Sequence, residues 1–74
     1  MTRKQAEKVA QKVMAAAEAA QPANPRWEES TVVDPALAEK VLEAPQLVWG
    51  CMRMGWRLAI RGRSTLIISR PPRD

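Results

Sequence analysis

The chain contains no histidine, no phenylalanine, no tyrosine and a single cysteine, Cys51. Without histidine, the commonest general acid and base of catalysis is missing, and so is the usual nitrogen ligand of zinc. A lone cysteine closes no disulfide within the chain, so neither staple that holds many small domains together is available. Cys51 also has no acidic residue near it between Pro45 and Ser69. It is expected as a small buried hydrophobe rather than a nucleophile. The three glycines, Gly50, Gly55 and Gly62, are isolated and build no phosphate-cradling loop. These absences point to a non-enzymatic protein with no cofactor and no metal.

Long apolar runs are missing as well. Nothing approaches the ~18 residues that a membrane span needs, and the opening MTRKQAEK lacks the apolar stretch of a secretory signal. The expectation is a soluble, cytoplasmic protein with no membrane partner and no small-molecule substrate, which an unpaired thiol also fits.

What is present amounts to one small domain of 74 residues, near the size at which a single core only just outweighs chain entropy. Its net charge of +4 is unevenly spread. Arg3, Lys4, Lys8 and Lys12 dominate residues 1–20, acids dominate 21–45, and residues 46–74 carry six arginines against Asp74 alone.

Thr2 and Gln5 have the spacing of a capping box and open an alanine-rich helix over residues 1–20. Ala6, Val9, Ala10, Val13, Met14, Ala17 and Ala20 recur at helical spacing, and the helix should end near Gln21-Pro22. The stripe is thin, so this amphipathic helix can lie outside the core and await a partner; the remainder is then expected to fold without it. Lys4, Lys8 and Lys12 stand at i, i+4 and i+8, a line of like charge that an anionic surface would relieve. Residues 21–33 read as a proline-rich linker ending in a short extended piece. Trp27 sits within it, either folded back on the core or exposed as an anchor.

Asp34-Pro35 marks a second helix, with aspartate as N-cap and proline at the first helical position, carrying Leu37, Ala38, Val41 and Leu42. Ala44-Pro45 should stop it. From about Gln46 to Arg70 the pattern turns to period two. Trp49 and Cys51 alternate with Gly50 and Met52, and the apolar parity flips by Trp56, Leu58 and Ile60. A strand, a turn at Arg53-Met54-Gly55 and a second strand would produce that flip. A helical alternative, with Trp49, Met52 and Trp56 at i, i+3 and i+7, is opposed by Gly50 and Gly55. A loop at Gly62-Arg63-Ser64 places Ile60 opposite Leu66 and Leu58 opposite Ile68. The other sheet face then shows Arg57, Ala59 and Arg61. From Arg70 the chain should fray, with 71–74 as a tail.

The fold class is therefore α+β: two helices and a two- or three-stranded antiparallel sheet, with residues 34–70 as the core. In function two classes compete. A small regulator that docks on a larger protein complex, such as the polymerase-type transcription apparatus, would use Trp27, Trp49 and Trp56 as anchors and Arg53, Arg57, Arg61 and Arg63 for steering. A DNA- or RNA-binding protein would instead set Arg57, Arg61 and Arg63, with Lys4, Lys8 and Lys12, against phosphates. The acidic middle segment and the absence of a helix-turn-helix spacing or an RNA-stacking aromatic pattern favour the regulator.

Overall fold

A computed structural model describes residues 1–20 and 28–71, and in it the chain is an α+β domain with one sheet and one layer of helices. In chain order the elements are α1 (Arg3–Ala20), β1 (Glu28–Val33), α2 (Pro35–Glu43), α3 (Pro45–Gly50), β2 (Arg57–Arg61) and β3 (Thr65–Arg70). The antiparallel sheet has the order β1-β3-β2, so the last strand lies in the middle and both edges are short.

The capping signals act as their chemistry requires. Thr2 N–H donates to Gln5 Oε1 at 2.9 Å and Gln5 N–H donates to Thr2 Oγ1 at 3.2 Å, a reciprocal box that closes the start of α1. Asp34 Oδ1 accepts from Leu37 N–H at 3.1 Å, and Pro35 takes the first turn of α2. Asp34 N–H also donates to Ser64 O at 2.9 Å, which ties the β1–α2 junction to the β2–β3 loop. That loop turns at Gly62, where φ is +67°.

The hairpin register is the one that its alternation predicts: Leu58 faces Ile68 and Ile60 faces Leu66. Leu66 and Ile68 are fully buried under the helices, while Arg57, Ala59 and Arg61 face the other way.

Four expectations about the fold fail. Residues 45–50 form helix α3, not a strand. Pro45 stops α2, and its fixed φ also starts a new helix one residue later. Gly50 lies at the helix end and Gly55 beyond it with φ +88°, so neither incurs the interior penalty that counts against a helix. The extended end of the proline-rich segment is a full sheet strand, with Ser30 opposite Ile68 and Val32 opposite Leu66. Arg70 does not fray either. It is the last residue of β3 and only 8% exposed.

The largest correction concerns α1, which belongs to the core. Ala6, Val9, Ala10, Val13, Met14 and Ala17 are all buried and pack with Leu37, Ala38, Val41, Val48, Leu66 and Ile68. Deleting residues 1–20 should therefore abolish the cooperative thermal melt followed by circular dichroism. Leu66→Ala in the full chain should retain a melt while costing about 2–5 kcal/mol in urea denaturation. A truncated chain that still melts cooperatively would return α1 to the periphery.

Candidate protein-docking groove

The two tryptophans of WGCMRMGW have opposite fates. Trp56 is 7% exposed and belongs to the core, which removes it from the partner-binding set. The guanidinium carbons of Arg53 and Arg70 each lie 5.8 Å from its ring centroid. Glu18, near the end of α1, completes the cluster. Its Oε1 is 3.4 Å from Arg53 Nη1 and 3.9 Å from Arg70 Nη1. Arg53 is thus engaged by a carboxylate and a ring, and it braces α1 against the turn before β2.

Trp49 is 49% exposed. Its indole N–H donates to Trp56 O at 2.9 Å, so the polar edge of the ring is bonded inward while the apolar surface stays open. That bond also holds α3 to the start of β2. Beside Trp49 runs a groove of about 240 Å³, bounded by Val41 and Leu42 of α2, Pro45 of α3, and Leu58 and Ile60 of β2. Its lining is overwhelmingly apolar, with Gln46 the polar exception. Leu42 on the rim is 44% exposed.

The groove owes its existence to uneven coverage of the sheet. α1 packs over β1 and β3, and α2 reaches β3. β2, at the edge, keeps Leu58 and Ile60 only half-buried. No residue of β3 lines the groove, so it opens at the free edge of β2.

The predicted basic residues divide between two sides. Arg57 and Arg61 lie exposed on the outer face of β2, and Arg63 is at the hairpin tip. Among the described residues none of the three is ion-paired. Lys4, Lys8 and Lys12 are exposed on α1, in the helical layer behind the sheet. Lys8 and Lys12 border a hollow of about 200 Å³ between α1 and α2 together with Lys40 and Glu43. The arginines and lysines therefore form no single basic surface. Trp27 lies outside the described residues. Cys51 is half-buried against the core.

Sequence reasoning assigns Leu42, Leu58 and Ile60 to the core alone and misses the groove. Their inward face is legible, but the partial cover of β2 by the described helices is a tertiary fact that no local pattern carries. Compared with protein-family models, with curated proteins and with solved structures, the chain matches none.

The contrast between the tryptophans is measurable. Trp56→Ala should cost about 3–5 kcal/mol, enough to leave a domain of this size near the unfolding threshold. Trp49→Ala should cost roughly 1–2 kcal/mol, because half of the ring is already in water and one hydrogen bond is lost. Equal losses in chemical denaturation would place Trp49 in the core.

Proposed function

We propose that this protein is a non-enzymatic regulator that docks on a surface of a larger protein complex through the groove at the β2 edge. The observation that supports this most is the half-exposed Trp49, fixed by its bond to Trp56 O and set among Leu42, Leu58 and Ile60. A rigid aromatic anchor beside an apolar hollow is the arrangement that concentrates binding energy at protein interfaces. Arg57 and Arg61, on the outer face of the same edge strand, add steering and specificity. A target that handles nucleic acid suits this basic edge, since arginines can meet either acidic protein surfaces of such a complex or the nucleic acid that it holds. No helix among the described residues is long and apolar enough to cross a membrane.

Direct contact with DNA or RNA is the second reading, favoured by the absence of ion pairs at Arg57, Arg61 and Arg63 among the described residues. The separation of these arginines from Lys4, Lys8 and Lys12 weighs against it. So does Glu29, which occupies the outer face of β1 in the cross-strand row of Arg57.

Leu42→Glu separates the two readings, because it places a charge in the groove mouth without touching the arginines. Affinity capture from the source cells should recover a partner with the wild type and lose it with this variant, at an unchanged circular dichroism spectrum. Equal recovery would overturn the docking site. Anisotropy with labelled duplex and single-stranded DNA and RNA should show no tight binding. An affinity that falls steeply between about 50 and 200 mM salt and disappears in Arg57→Glu/Arg61→Glu would replace it with the nucleic-acid reading.

A further inference from the structure

We infer that the groove receives an extended segment of a partner protein that pairs with the free edge of β2 and alternates acidic with apolar side chains. The inference rests on the docking reading above and names the conformation and chemistry of what docks. Among the described residues β2 pairs only with β3, so alternate residues of Arg57–Arg61 turn their backbone N–H and C=O groups outward. A strand added there would continue the pleat of the sheet. Its residues beside Leu58 and Ile60 would point inward, over the apolar groove between β2, α2 and α3. Those beside Arg57 and Arg61 would point outward, next to two guanidinium groups with no carboxylate partner among the described residues. Inward positions therefore call for apolar side chains and outward positions for carboxylates, an alternation with the period of a strand and not of a helix.

A second copy of this chain fits poorly. Antiparallel pairing of β2 with another β2 about Ala59 sets Arg57 opposite Arg61 twice, and like charges directly opposite repel. The other edge strand, β1, already has its inner residues covered by its own α1: Ser30 is buried and its hydroxyl donates to Ala17 O at 3.2 Å. Val32, also on the inner face, packs half-buried against the same core.

The test uses the full chain, isotope-labelled, titrated with a capped heptapeptide of alternating glutamate and valine whose ends are both glutamate. Saturable binding is expected, with amide shifts concentrated on residues 57–61 and on the Trp49 indole. Arg57→Gln and Arg61→Gln should each weaken it about two- to five-fold, the range expected for one cross-strand charge pair. A lysine-for-glutamate peptide and a fully N-methylated peptide should both fail to bind. Equal affinity for the lysine peptide would overturn the charge assignment, and binding that survives N-methylation would overturn strand pairing. Shifts confined to α1, or sedimentation of the chain as a dimer through β2, would overturn the site or its occupant. If the peptide does not bind while Leu42→Glu still abolishes capture of the partner, strand addition fails and the docking reading stands. If the peptide binds at β2 and capture is indifferent to Leu42→Glu, the proposed function fails and the recognition chemistry stands.

Discussion

The structure depends on how closely α1 can approach everything else. Ala6 and Ala10 are fully buried and Ala17 nearly so, which sets the backbone of α1 almost directly against its neighbours. Helix separations depend on the side chains at the contact, and alanine permits the shortest. A stripe of small residues gains little transfer free energy per residue, yet it allows dense packing at low side-chain entropy cost. The Ser30 hydroxyl reaches the carbonyl of Ala17 because no larger side chain holds the strand away from the helix. With α1 in place, β1, β3, α2 and α3 all have a surface to pack on. Without it, Val41, Val48 and Leu66 would lose the helix on which they pack.

Close packing on one half of the sheet leaves the other half short of cover. α1 is a single helix and lies toward β1 and β3, while α3, with only six residues from Pro45 to Gly50, is too short to span the sheet. Among the described residues, the apolar side chains of β2 are then only half covered by the helices beside them. Trp49 fills part of that space, and its indole hydrogen bond keeps it from collapsing further inward. The groove is thus a consequence of which elements this small chain can supply. Its apolar lining is the feature on which the proposed docking depends.

Much of the fold can be read from local chemistry. Thr2 with Gln5, Asp34 with Pro35, and the alternation through Leu58, Ile60, Leu66 and Ile68 each specify an element through its immediate neighbours. The failures have a shared cause. Whether the thin stripe of α1 is buried, whether Glu28–Val33 pairs with a strand some 35 residues away, and whether Pro45 ends a helix or starts one all depend on distant partners. The site was legible in part. Trp49 and the arginines of β2 stand out by residue type, whereas the exposure of Leu42 and the burial of Trp56 follow only from the placement of α2 and α3.

The arginine-rich final segment also acquires a division of labour. Arg53, exposed, and Arg70, buried, both turn toward the protein itself, against the Trp56 ring and the Glu18 carboxylate. A planar, weakly hydrated guanidinium suits that role better than an ammonium does, since it can lie near a ring while still binding a carboxylate. Arg57, Arg61 and Arg63 have no such internal ion pair among the described residues and are placed along one edge strand and its loop. Positive charge is therefore concentrated along a strand that pairs on one side only among the described residues, on the sheet face opposite the apolar groove. The same charges protect a bare strand edge against pairing with its own kind, because two such edges repel. An acidic strand would meet no such barrier, so one set of residues can both discourage self-association and select the partner.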